Sequence, residues 1–170
     1  RDSSVTGVQT CALPICELPS KMKLSDPQRD LLCKCNGSLV LLDENEEEIA
    51  EFELGWKVAT QLWEQEDVSE EDIQTIEELI KDAQGVLVVG EWSYPCGQSI
   101  LFMDSRGRIF ADTGDLISYL GSSGEALKIL VKTGGEPGLD AIGIPDSMLN
   151  MDAPLSVLNR GYTKVFPTAL

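Results

Sequence analysis

Apolar and polar positions change rhythm along the chain, and each change marks a different kind of element. From Val86 to Asp112 the apolar residues come in short runs, VLVVG, SILFM and IFA, rich in Val, Ile and Phe. Runs of that length and composition read as strands. The Ser105-Arg106-Gly107-Arg108 stretch between the second and third is a hairpin turn. A loop is expected over Glu91–Pro95. After the third strand a short helix is expected from Gly114 or Asp115 through Tyr119, with a break at Gly121. A second helix follows a Ser122 or Ser123 cap and contains Ala126, Leu127, Ile129 and Leu130. This half of the chain is an antiparallel meander capped by helix.

Upstream the rhythm becomes helical. In Ser25-Asp26-Pro27 a capping side chain precedes a proline whose missing N–H costs nothing in a first turn. Leu31, Leu32 and Cys35 follow, and Asn36-Gly37 stops the helix. Ser38 to Leu42 is an apolar run of strand length. Ser69 and Asp72 have the spacing of a capping box, and Ile73, Ile76, Leu79, Ile80 and Ala83 form one face before Gly85. Between Glu48 and Trp63 two readings stand. Ile49, Phe52, Trp56, Ala59 and Trp63 recur as on an amphipathic helix, with Trp56 and Trp63 facing a core, whereas Phe52, Leu54, Trp56 and Val58 alternate as in a strand interrupted by Gly55. From Gly134 periodicity disappears among Gly, Pro, Asp and Asn. These elements define an α+β fold, a small antiparallel meander sheet with helices on one side, over residues 16–135, followed by an irregular extension over 136–170.

A chain of 170 residues, 42% apolar, can bury one core. Its longest apolar runs fall far short of the roughly 18–20 residues of a membrane-spanning helix, and a soluble, cytoplasmic protein is expected. The formal net charge of −16 is unevenly spread: Asp43–Asp82 holds 16 acidic side chains against only Lys57 and Lys81, whereas residues 83–170 hold 9 acidic and 6 basic ones. Such a field repels nucleic acid and anionic lipid and speeds capture of basic proteins. The plainer alternative is that these carboxylates only solvate helix faces.

Val5–Ile15, VTGVQTCALPI, is similar to one translated frame of a common sequencing-adapter strand. It lacks the cationic start and sustained apolar core of a signal peptide. Residues 1–15 are therefore expected to be foreign to the fold, with the natural start lost or at Met22; the far end ending at Leu170 is read as open too. Four cysteines then remain, Cys16, Cys33, Cys35 and Cys96, with no histidine anywhere. That spacing does not make a zinc site, and reduced thiols are expected.

The chain offers little chemistry. Without histidine, a serine or cysteine nucleophile lacks its usual base, and no glycine-rich phosphate loop joins a strand to a helix. No cofactor or metal is expected. Asp104, Asp112 and Asp115 cluster near the ends of the hairpin and could pair as acid and base, although Asp before Gly is also ordinary turn chemistry. Trp92 and Tyr94, in the expected loop, either finish the core or anchor a partner.

Three segments resemble the SUKH superfamily, immunity proteins that bacteria carry beside polymorphic toxins. Asp30-Leu31-Leu32 to Asn36-Gly37 is similar to that family's first helix. Leu101 to Phe110, with Asp104-Ser105-Arg106-Gly107-Arg108 at its centre, is similar to its strand, Asp-x-x-Gly-Arg turn and strand. Leu120-Gly121-Ser122-Ser123 with Glu125-Ala126-Leu127 to Leu130 is similar to its closing helix. The similarity spans roughly residues 25–135. It implies an α+β fold, no catalytic activity, and tight binding to a cognate protein toxin, often one directed at nucleic acid and therefore basic. On this reading Glu64, Glu66, Asp67, Glu70, Glu71 and Asp72 steer the partner, and Trp92 and Tyr94 anchor it. A housekeeping adaptor of the same fold and, further off, a carboxylate enzyme using Asp104 with Asp112 or Asp115 are the alternatives.

Overall fold

The apolar runs become neighbouring strands of one antiparallel sheet. The computed structural model describes residues 4–8, 23–34, 37–94, 97–114, 116–122 and 144–159. Seven strands pair in chain order: β1 (Ser4–Val8), β2 (Gly37–Leu42), β3 (Glu48–Leu54), β4 (Leu87–Tyr94), β5 (Gly97–Met103), β6 (Arg108–Asp112) and β7 (Ile117–Ser122). Helix α1 (Asp26–Lys34) precedes β2, and α2 (Trp56–Glu64) and α3 (Glu70–Leu79) lie between β3 and β4. A 3-10 turn (Asp146–Met148) and a one-turn helix α4 (Leu155–Leu158) close the described chain. The protein is an α+β fold with a meander at its centre.

Both readings of Glu48–Trp63 hold, each for half of it. Gly55 takes φ 115, a left-handed conformation that ends β3 and opens α2. Its N–H donates to the Val89 carbonyl at 2.8 Å, so the break is tied to the sheet. Two other expectations are corrected. Glu91–Tyr94 is no loop: β4 runs on through Tyr94, because Phe52 pairs with Trp92 on one side and Ser99 on the other. The helix expected up to Tyr119 is strand β7, which pairs with β6 from Asp112↔Ile117 to Arg108↔Ser122, and Gly121 at φ 91 sits beside a register shift. A short β-rich sequence takes whichever state its neighbour offers, and the free edge of β6 decides it. The second expected helix, Ala126–Leu130, lies outside the described residues, as does Asp115.

Helices cover both faces of the sheet, not one. On β5, Ile100 and Phe102 face one layer and Leu101 and Met103 the other. The upper layer joins Val58, Ala59 and Leu62 of α2 and Ile76 and Leu79 of α3 to Phe102, Phe110 and Ile117. The lower layer joins Leu31 and Leu32 of α1 to Phe52, Trp92, Leu101 and Ile109. Consecutive apolar residues in β4 and β5 are the signature of strands buried on both sides.

Helix α1 is fixed by its own capping box. Gln28 N donates to Ser25 Oγ and Ser25 N to Gln28 Oε1, while Gln28 Nε2 reaches the carbonyls of Gly85 at 2.6 Å and Met103 at 3.2 Å. Cys33 on α1 is disulfide-bonded, which corrects the expectation of reduced thiols at that position; its partner lies outside the described residues. The far end is also more ordered than its composition implies. Ile144, Leu149, Ala153 and Val157 enter the upper core, and Lys81 N donates to the Met148 carbonyl at 2.7 Å and Asn150 N to that of Leu79 at 2.8 Å.

Strand β1 comes from the stretch similar to an adapter product. It adds to the edge of β2 through backbone pairing, Ser4↔Leu42 and Val8↔Leu39. An open edge offers N–H and C=O groups that pair with an extended chain whatever its side chains.

Gly90 marks the tightest approach in the sheet. A Cβ there would stand 2.1 Å from the Glu53 carbonyl oxygen, a backbone atom. Gly90→Ala is therefore expected to destabilise the protein by about 1–3 kcal/mol by prising β3 from β4. Urea denaturation measures this, and an unchanged midpoint would rule the contact out.

Candidate functional site: the acidic corner between the helices and the sheet

The strand register gathers carboxylates that the sequence scatters. Phe52 and Leu54 point into the lower core, so Glu51 and Glu53 project from the upper face of β3. Glu53 pairs with Glu91, Glu91 with Ile100, and Ile100 with Asp112. These four form one cross-strand row that leads into a cleft of about 230 Å³. Ile100 and Phe102 give the cleft an apolar floor, Asp112, Thr113 and Gly114 one wall, and Asp67 and Asp72 from the α2–α3 corner the other, with Gln98 at the rim.

Each wall is held by local chemistry. Asp67 sits where the connection folds back, its N–H donating to the Leu62 carbonyl at 3.0 Å beyond a left-handed Glu66 (φ 60). Asp72 closes the capping box that the sequence shows: its Oδ2 accepts from Ser69 N at 2.8 Å, and Asp72 N donates to Ser69 Oγ. Three acidic residues in the first turn of α3, Glu70, Glu71 and Asp72, also lie favourably to the helix dipole. Asp112 Oδ1 accepts from Gly114 N at 2.8 Å. Gln98 Nε2 donates to Glu91 Oε2, linking the cleft rim to the acidic row. Among the described residues no three such side chains stand close enough to share a metal ion.

Burial, and after it the crowding of like charges, shows in the acidity of the row. Burial pushes the Glu91 carboxyl above its ordinary value of 4.5, and the charge of Glu53, then those of Asp67 and Glu51, push the same way against the Gln98 hydrogen bond. Glu51 is raised as well, first by burial and then by Glu53 and Glu48, opposed by a hydrogen bond from Ser38. A carboxyl that holds its proton more tightly when folded opposes folding once ionised. Its contribution to stability is full below about 4.5 and is lost as pH rises through the raised folded value. The melting temperature is thus expected to rise as pH falls from neutrality towards 5, and Glu91→Gln to raise it at pH 7.5 while flattening that slope. Thermal melts across this range check both, and a slope of opposite sign would refute the crowding.

The six steering residues divide by burial. Glu64, Glu66, Asp67, Glu70 and Glu71 are exposed on the corner, and Asp72 is half-buried in its box. Among the described residues none of the six forms an ion pair. The anchors fall elsewhere. Trp92 is 1% exposed in the lower core, its ring centroid 5.4 Å from that of Phe52, and it offers nothing to a partner. The backbone of Tyr94 ends β4; its side chain lies outside the described residues. Trp63, expected in the core, is 38% exposed. The two aspartates of the carboxylate-enzyme reading do not converge, since Asp104 precedes β6 and Asp112 ends it, about 13 Å of strand away. Asp104 is spent inside the hairpin, where it pairs with Arg108 at 2.6 Å.

Sequence reasoning missed Glu51, Glu53, Glu91, Gln98 and Asp112 as members of this surface. The alternation Glu51-Phe52-Glu53-Leu54 carried part of the signal; the register that joins β3 to β6 did not exist in it. No family model, curated protein or solved structure matches the chain. No helix among the described residues is long and apolar enough to cross a membrane.

Proposed function

We propose that this chain is a non-catalytic binding protein, an immunity protein of the SUKH kind that neutralises a cognate basic toxin by charge-steered binding at the acidic corner. The observation that supports this most is the convergence of Asp67 and Asp72 from the helical corner with Asp112 from the sheet around one cleft, with the cross-strand pair Glu53 and Glu91 leading up to it. A toxin directed at nucleic acid carries a basic cleft of its own. An acidic surface on a rigid sheet captures it fast and covers it without any chemistry on the immunity side. The place of action is the cytoplasm of the producing cell. The Cys33 disulfide is the observation that stands against this placement, because disulfides are rare there; alkylation of the protein in freshly lysed cells, with and without reductant, decides, since full labelling without reductant fits the cytoplasm and protection at Cys33 moves the protein to an oxidising compartment.

The deciding experiment recovers the intact locus, co-expresses the protein with the C-terminal domain of the neighbouring gene product, and measures co-purification and relief of toxicity. A stable, protective complex is expected. Absence of both a toxin gene and a complex transfers the fold to an adaptor role. Within the complex, reversing Glu64, Glu66 and Glu70 to lysine is expected to slow association about 10-fold or more at low salt and to flatten its salt dependence. Stopped-flow association rates that stay unchanged would remove the steering assignment.

A further inference from the structure

Strand β2 (Gly37–Leu42, GSLVLL) carries neither a charged residue nor a proline, the devices that keep an edge strand from pairing outward. In this chain Ser4–Val8 covers that edge, although the register slips between Val5 and Val8, so the seat takes an uncharged extended segment without requiring a close match of side chains. Gly37–Leu42 is itself such a segment. Ser38 and Val40 stand opposite Glu53 and Glu51 on the upper face and leave an uncharged border between the acidic β3 and the edge. Two copies paired edge to edge would separate their β3 carboxylates by three strand spacings, about 14 Å, which exceeds the screening length of about 8 Å at physiological salt. Charge also selects the direction. The β2–β3 turn, Asp43–Glu48, holds five carboxylates. Antiparallel pairing about a two-fold axis sets the two turns at opposite ends of a six-residue strand, about 20 Å apart, whereas parallel pairing would place them side by side.

We infer that the outer edge of β2 is an interface between two copies of this chain, a two-fold antiparallel pairing of β2 with β2 for which Ser4–Val8 competes. A pair of this kind is isologous, so it closes at two copies and continues the sheet across the axis. Such a dimer needs no toxin and leaves the acidic corner free. Strands β3 and β4 separate the edge from β5 and β6, which give the cleft its floor and one wall, so both clefts of the pair stay open.

Sedimentation velocity of the full chain over about 10–300 µM in physiological salt tests this, because a six-residue contact lies at the small, weak end of interface sizes and dissociation at about 10–100 µM is expected. The unaltered chain is expected to stay a monomer, with Ser4–Val8 on its edge. Val5→Pro with Val8→Pro removes two N–H groups of β1 and opens the edge, and is expected to shift the chain to a dimer. Val5→Gly with Val8→Gly should do the same to a smaller extent, and near-ultraviolet circular dichroism of the packed aromatic side chains checks the fold of each. Adding Val40→Lys to the opened chain is expected to restore the monomer, since Val40 lies midway along β2 and two lysines would meet near the axis. Val40→Thr, uncharged and β-branched, should leave the dimer in place. An opened chain that stays monomeric at about 300 µM would overturn the interface. So would a dimer indifferent to Val40→Lys, equal association of the unaltered chain, or growth beyond two copies.

Discussion

Asp104→Ala should lower the unfolding free energy by about 3–5 kcal/mol, the largest loss available outside the hydrocarbon core. The carboxylate is fully buried and saturated. Its Oδ1 accepts from the backbone N–H groups of Arg106 at 3.0 Å and Arg108 at 2.9 Å, and its Oδ2 from Arg108 Nε at 2.6 Å. Its own N–H donates to the Arg108 carbonyl, and its carbonyl accepts from Gly107 N. Alanine would leave two turn N–H groups without acceptors and a largely buried guanidinium without its counter-charge. Asp104→Asn keeps the shape and part of the acceptor set, and about half the loss is expected. Urea unfolding with an unchanged dependence on denaturant would establish the effect; a loss under about 1 kcal/mol for the alanine variant would mean that the hairpin holds without its carboxylate. The Asp-x-x-Gly-Arg pattern that supports the family resemblance is on this account a folding element. Its glycine at φ 85 has Pro27 3.0 Å from where a Cβ would stand, so it also seats α1.

Trp92→Ala should cost a similar 3–5 kcal/mol, and Trp63→Ala, at a part-exposed site, about 1–2 kcal/mol. Trp92 fills the lower layer between Phe52 and the Leu101 and Ile109 side chains, and its removal leaves a cavity that α1 cannot follow inward, because Gln28 holds the helix to the carbonyls of Gly85 and Met103. Trp63 is a buried member of neither layer and keeps 38% of its surface in water, so its loss uncovers less. Paired denaturation curves decide between the two tryptophans. Equal costs would return Trp63 to the core.

The difference between these tryptophans shows how far the sequence could be read. The residues around Trp63 read as an amphipathic stripe facing a core and those around Trp92 as a loop, yet Trp92 is the buried one and Trp63 the exposed one. Trp92 is buried because β3 and β5 flank it and α1 arrives from an earlier part of the chain; Trp63 is exposed because a left-handed residue three positions on ends the packing of its helix. The same holds for Gly55. Helical and strand periodicity overlapped across Glu48–Trp63, and the hydrogen bond to Val89, which lies beyond two helices, chose where one gave way to the other.

What the sequence determined by itself is local. Ser69 with Asp72 builds a cap within one turn, Asp104 with Arg108 closes a hairpin over five residues, and the runs from Val86 to Asp112 are strands on either reading of their surroundings. The acidic excess between Asp43 and Asp82 is likewise a property of composition. Only the tertiary structure decided that β7 is a strand, that the sheet is covered on both faces, and that Asp112 and Glu91 join Asp67 and Asp72 in one corner. Caps and turns are satisfied by groups a few residues apart, so their energetics are written in adjacent letters. Register and burial depend on partners brought together by chain closure, and those free energies belong to pairs that the sequence does not place side by side.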